Sequence, residues 1–210
     1  MKSVLTSDYK ILDNPRNVLR SLSFVTSNTH KFKEVNSYFT GARLSNMKFT
    51  INHLNQKYTE LQADTISEVA HASASSLSTI MNHDFLIEDS GITVNRLNGF
   101  PGPYSSFVFQ TVGWQGILDL LGDQEDRSAF FTSVFVLSLD KKLVAFEGEV
   151  QGSITIEAKG NFGFGFDPIF IPEGQTGFRT TLAEMETDEK NEISHRGKSL
   201  RKLFDFLIQK

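Results

Sequence analysis

The sequence predicts an α/β fold, and three observations predict it. Short apolar runs at residues 22–26, 49–51 and 85–87 read as buried strands, and helix-periodic segments lie between them. Strand–helix–strand order of this kind favours an α/β sheet. A longer β-rich run, 127–139, turns at Asp140-Lys141-Lys142 and returns over 143–150, so a hairpin adds antiparallel strands to the α/β start. Only 39% of the residues are apolar, but 19 are Phe, and each aromatic ring buries a large area, so a sizeable core is within reach.

Residues 1–21 show no clear periodicity and read as an N-terminal extension. The remaining 22–210 read as a single domain, without internal repeats or a linker rich in Pro, Gly or Ser. The first strand runs into Ser27-Asn28-Thr29-His30-Lys31. From Thr29, Phe32, Val35, Asn36 and Phe39 recur at helical spacing up to Gly41. After the strand at 49–51, residues 52–62 form a polar connection that contains Glu60. A helix over 65–81 carries Thr65 and Glu68 as a capping box, with Ile66, Val69, Ala70, Ser73, Leu77 and Ile80 on one face. The strand at 85–87 ends in Glu88 and Asp89, and Ser90-Gly91 reads as a turn. Asn98-Gly99 is a second turn signal, followed by the rigid Pro101-Gly102-Pro103. Residues 105–110 and 113–121 read as helices, 152–156 as a third antiparallel strand, 170–171 as a brief strand and 181–184 as a short helix. The last helix, 194–209, has Ser194 as N-cap and Leu200, Leu203, Phe204, Leu207 and Ile208 on one face.

Composition narrows the function. No apolar run approaches the roughly 20 residues of a membrane helix, and the N-terminus lacks the apolar centre of a secretory signal. Without Cys there are no disulfides or thiolate metal sites, which fits a cytoplasmic protein. A net charge of −4 with mixed signs argues against nucleic acid held by bulk charge. A small anionic ligand held by a few local cations stays open.

Four stretches could do chemistry. The turn Thr26-Ser27-Asn28-Thr29-His30-Lys31 joins a strand to a helix, where N–H groups, hydroxyls and an ammonium suit phosphate. An ordinary N-cap at Asn28 or Thr29 fits the same spacing. The acids Glu60, Glu88 and Asp89 supply the oxygens Mg²⁺ takes; strand neighbours face opposite ways, and Asp89 beside the small-residue turn is preferred. A solvated loop acid is the plain alternative for Glu60. Gly163-Phe164-Gly165-Phe166-Asp167-Pro168 offers rings that either stack on a base or fill core, and Pro168 predicts an extended Asp167. His195 and Arg196 fall in the first turn of the last helix, where cations oppose the dipole unless something anionic or acceptor-rich sits nearby.

Together the runs TSNTHKFKE, ELQ, EDSGITVNRLNGFPGPYS, GFGFDPIFIPEG, AEM and EKNEISHRGKSLRKL resemble the inosine triphosphate pyrophosphatases, also called Ham1-like or RdgB-like. They stand in the family's order from Phe24 onward, with phrasing most similar to archaeal members. The resemblance implies an elongated α/β fold of two lobes around a central mixed sheet, with a nucleotide cleft between them. It implies Mg²⁺-dependent cleavage of ITP, dITP and XTP to monophosphate and pyrophosphate, and a homodimer. Carried over, Thr26, Ser27, Asn28, Thr29, His30 and Lys31 bind the triphosphate. Glu60 and Asp89 hold the metal, Asp89 accepts the proton, and Ser90 touches substrate. Phe164, Gly165, Phe166, Asp167, Lys190, His195 and Arg196 complete the pocket. Two departures stand out: many members have a helix Lys where this chain has Ala70-His71-Ala72, and often Tyr or Trp at Phe166. A nucleotide sensor and a pyrophosphatase for modified pyrimidines are the competing functions.

Overall fold

Among the described residues six strands form one mixed sheet: β1 (Arg20–Val25), β2 (Phe49–Leu54), β3 (Phe85–Val94), β4 (Ser128–Leu139), β5 (Lys142–Ile154) and β6 (Phe170–Pro172), in the order β2-β1-β3-β4-β5-β6. The computed structural model describes residues 20–40, 49–56, 58–59, 61–175 and 179–209. β1 runs parallel to β2 and β3, and every later pairing is antiparallel. The helices are α1 (Thr29–Thr40), α2 (Ile66–Ser78), α3 (Ser105–Thr111), α4 (Gly113–Leu121), α5 (Thr187–Ile193) and α6 (His195–Ile208).

The central strands are apolar on both sides because helices cover both faces. Leu86 joins Leu22, Phe24, Phe135 and Leu137 in a core with Val35 and Phe39 of α1 and Leu200, Leu203 and Leu207 of α6. Its neighbours Phe85 and Ile87 join Val134 and Val136 against Ile66, Ala70, Ala74 and Leu77 of α2. A third core, with Ile92, Phe131, Phe166 and Phe170, lies around α3, α4 and the far ends of β4 and β5.

The turn read at Ser90-Gly91 does not exist, since β3 runs straight through to Val94. Gly91 serves close packing instead: a Cβ there would meet the Gly102 carbonyl at 2.4 Å and Ser105 Oγ at 2.7 Å. Asn98-Gly99 does turn, with both residues at positive φ. The strand expected at 152–156 is the continuation of β5 to Ile154. Asp167 opens a 3₁₀ turn, Asp167–Ile169, rather than standing extended; the Phe164 carbonyl accepts its N–H and the Phe164 N–H donates to its Oδ2. α5 was not expected at all. The capping box on α2 is present in both halves, Glu68 N–H to Thr65 Oγ1 and Thr65 N–H to Glu68 Oε2.

Chain order creates a crevice. From β1 the chain leaves through α1 to β2 on one side, then crosses back through α2 to β3 on the other. β1 and β3 pair only at Ser23↔Phe85 and Phe24↔Leu86. Beyond Leu86 the β1-facing edge of β3 opens, at a reversal of connection direction where α/β sheets place ligands.

Candidate active site

A cavity of about 420 Å³ fills that crevice, within the size range of small-molecule sites. Lys31, Asp89 and His195 all line it, as do Thr26, Ser27, Asn28, Ser90, Phe164, Gly165, Phe166, Asp167 and Arg196. Of the other sequence-predicted residues, Thr29 and His30 lie on the exposed first turn of α1, and Lys190 is buried behind Phe164. Glu60 and the N-terminal residues 1–19 lie outside the described residues. His71 gives its ring nitrogen to the Ser67 carbonyl of its own helix, 2.8 Å away, and does not line the cavity.

The turn after β1 is built from its own side chains. Thr26 Oγ1 accepts the Asn28 N–H at 3.1 Å, and Asn28 Oδ1 accepts from His30 N–H (2.9 Å) and Lys31 N–H (3.2 Å). Asn28 therefore caps α1, which satisfies donors that helix ends otherwise leave open. Lys31 reaches across the crevice: its Nζ lies 2.8 Å from Glu88 Oε2 and donates to the Glu88 carbonyl at 3.3 Å.

The opposite wall is a buried chain of alternating charges. Lys190 Nζ bridges Asp167 (2.7 Å) and Glu34 (2.6 Å). Arg196 bridges Glu34 (2.6 Å) and Glu88 (3.0 Å), and also donates to Ser90 Oγ at 3.0 Å. Ser133 Oγ completes Glu88 at 2.7 Å. Strand alternation explains the set: Glu88, Ser90 and Ser133 share the sheet face with Leu86 and Phe135, the face of α1 and α6. Arg196 is 2% exposed. Its cost at a helix start is met by carboxylates, the acceptor-rich surroundings the sequence called for. Two glycines let α6 come this close. A Cβ on Gly148 would meet the His195 carbonyl at 2.2 Å, and one on Gly197 the Asn191 carbonyl at 1.8 Å.

Burial opposes ionisation of Glu88, but the Arg196 and Lys31 charges outweigh it and hold the carboxyl well below the usual range. Burial likewise works against Glu34, and Arg196 and Lys190 overcome it. For Asp167 burial wins, with help from Glu34, and its carboxyl is pushed up despite Lys190. Burial, then the charges of Arg196 and Lys190, drives His195 well below the ordinary imidazole value. That ring is neutral, stacked on Phe131 at 4.4 Å, and its Nδ1 meets no hydrogen-bond partner among the described residues.

Phe164 meets three charged or titratable neighbours: Lys190 Nζ at 5.2 Å and Arg196 Cζ at 5.3 Å lie over its ring, and His30 stacks at 5.4 Å. Gly163 and Gly165 around it both take positive φ, so the loop needs glycine there. Phe166 is buried, edge-on to Phe109 at 5.5 Å, so at this position a ring fills core.

Sequence reasoning did not single out Glu34. A signal existed: it precedes Val35 and stands one turn from Tyr38, on the buried face of α1. It also missed Phe109, Ser106 and Gln110 of α3, which line the cavity, and nothing in their spacing marks them. Among the described residues no three His, Asp or Glu side chains converge as a ready metal cage.

Known proteins resemble the chain in sequence and in fold. Residues 22–206 match the Ham1 family. A dITP/XTP pyrophosphatase of Thermococcus kodakarensis is 46% identical over 186 residues, 89% of this chain and 96% of the relative. The same-named protein of Pyrococcus horikoshii is 43% identical, over 88% of this chain and 95% of its own. Among solved structures, a HAM1 protein from Coxiella burnetii aligns with a TM-score of 0.76 at 29% identity, covering 90% of this chain and all (100%) of the other. The Staphylococcus aureus Ham1 protein gives 0.72 at 27%, over 88% and 97%.

Proposed function

The chain belongs to the Ham1 family, and on that premise we propose that it hydrolyses non-standard purine nucleoside triphosphates, ITP, dITP and XTP, to the monophosphate and pyrophosphate. One observation carries the reading. A single cavity at the β1–β3 crevice brings together a hydroxyl-rich capped turn, Lys31, the Asp89 carboxylate and the aromatic Phe164 loop.

Asp89 faces away from Glu88 along β3, on the α2 side, and its Oδ1 accepts the Ser90 N–H at 2.8 Å. That bond orients the carboxylate. In this reading a water attacks the α-phosphorus, the bond to the bridging oxygen breaks, and pyrophosphate leaves. Asp89 takes the proton of the attacking water. Lys31 faces the negative charge on the leaving phosphates.

The donor set also fits Mg²⁺. Asp89 offers a hard oxygen on the cavity wall, and Mg²⁺ needs only one or two carboxylates beside phosphate. Asp89, with Glu60 as the second acid, is the set proposed to hold it; bound there, the ion supplies positive charge to the phosphates.

Base choice follows from hydrogen-bond sense. Hypoxanthine and xanthine present an O6 acceptor and adenine an N6 donor. The Arg196 guanidinium is engaged by Glu34, Glu88 and Ser90, so the O6 contact is assigned to the N–H groups opening α6. An adenine would set donor against donor, at about 1–3 kcal/mol per unmatched buried group. The same membership supports a cytoplasmic homodimer of the 22–210 domain. The exposed apolar side chains Phe100, Tyr104, Phe107, Val112 and Leu120 are the ones to mutate in light-scattering measurements.

Pyrophosphate release with Mg²⁺ from ITP, XTP, dUTP, GTP and ATP tests the function. ITP and XTP should be cleaved and ATP spared. Tight binding without release would point to a sensor, and a preference for dUTP to a pyrimidine enzyme; either outcome overturns the reading.

A further inference from the structure

His53 lies on the edge strand β2, outside the cavity, and no part of the reaction uses it. Its ring nonetheless touches the phosphate turn at both ends. Nε2 stands 3.0 Å from the Thr26 carbonyl oxygen, where β1 ends. The ring also stacks on Phe32 of α1 at 4.2 Å and 10°, one residue beyond Lys31. A ring nitrogen facing a carbonyl must carry hydrogen, so the contact fixes Nε2 as the donor.

The consequence runs through one peptide plane. The Thr26 C=O and the Ser27 N–H belong to the same planar trans unit and point in opposite directions. Holding the carbonyl toward His53 turns the Ser27 N–H the other way, toward the cavity that Ser27 lines. The Asn28, His30 and Lys31 N–H groups are consumed inside the turn, whereas no acceptor among the described residues meets the Ser27 N–H. A carbonyl flipped the other way would present partial negative charge to the same space. The stack on Phe32 keeps the imidazole from swinging away.

Resting on the triphosphate reading above, we propose that His53 is a positioning residue: it locks the Thr26–Ser27 peptide so that the Ser27 N–H is presented to substrate phosphate.

The test compares wild type with His53→Phe, which keeps the stack and removes the donor, and His53→Gln, which restores an N–H near the Nε2 position. Tripolyphosphate and inosine binding are measured by calorimetry, and ITP hydrolysis by pyrophosphate release. Loss of one hydrogen bond to phosphate predicts about tenfold weaker tripolyphosphate binding in His53→Phe and a matching rise in KM, with kcat within about twofold. His53→Gln should recover most of this, and inosine affinity should not move. Unchanged tripolyphosphate affinity in His53→Phe overturns the proposal. So does a loss that extends equally to inosine and that Gln does not rescue, because that is the behaviour of a merely structural residue. Failure of the wild type to cleave ITP would sink the proposed function instead, while tripolyphosphate binding would still decide the role of His53.

Discussion

The two walls of the cavity are both polar, yet they are built on opposite principles. The turn at 26–31 and Asp89 keep groups at the cavity surface: hydroxyls, an amide and a half-buried carboxylate. Across from them, Asp167, Lys190, Glu34, Arg196 and Glu88 are all buried and bound to one another. Buried pairs seldom add net stability, but breaking one leaves a stranded charge at high cost. The second wall therefore acts as a rigid frame. It fixes α1, β3, α5, α6 and the Phe164 loop relative to one another, so the first wall can present its groups at set positions. Neighbouring residues on one strand, Glu88 and Asp89, divide between the two roles.

The largest effect expected from this division is on Asp89. Asp89→Asn keeps the oxygen that accepts the Ser90 N–H but removes the proton acceptor. Loss of a general base predicts a fall in kcat of about 10³-fold, with ITP binding retained and Tm within about 2 °C of wild type. Turnover close to wild type would remove Asp89 from the chemistry. Glu34 should behave in the reverse way. Glu34→Ala takes one of two carboxylate partners from each of the buried cations Lys190 and Arg196, leaves one buried positive charge in excess and should cost about 3–5 kcal/mol of stability, a drop in Tm on the order of 10 °C for a domain of this size. Calorimetric unfolding checks it. An unchanged Tm would show that the alternating charges are not a frame at all.

That contrast also explains what the sequence revealed. Local signals were legible. The capping box at Thr65 and Glu68, the Ser194 cap, the Asp140-Lys141 hairpin turn and the strand–helix alternation depend on residues a few positions apart. The turn at 26–31 was legible for the same reason, and family phrases marked most residues across the cavity. The frame was not legible from spacing, because its contacts join residues 23 to 162 positions apart. Glu34 reads as a helix-surface acid until Arg196 is brought to it, and α5, TDEKNEI, lacks an apolar stripe to announce it. Gly91 misled because glycine permits both a turn and a close approach, and the crossing segment at Gly102 that decides between them lies in another part of the chain. Strand order, which creates the crevice, has no local signature.

His195 belongs to both walls, and it yields the smallest and most selective prediction. The ring lines the cavity, stacks on Phe131, and feels burial first, then the charges of Arg196 and Lys190. Its folded value is depressed, so the unfolded chain takes up a proton near pH 6.5 while the folded protein does not. The stability His195 contributes is therefore complete above about pH 6.5 and declines as pH falls toward its folded value, by up to about 1.4 kcal/mol per pH unit. Glu34 and Glu88, also depressed, lose their contribution only below the ordinary carboxylate range, whereas Asp167 is raised and changes stability in the opposite sense. Urea unfolding of wild type and His195→Gln between pH 7.5 and 5 separates these, since the carboxylates are common to both proteins. The two stability curves should converge as the pH drops. Parallel curves would mean that His195 gains its proton as easily in the fold as out of it, and that the ionic frame does not reach the cavity surface at this ring.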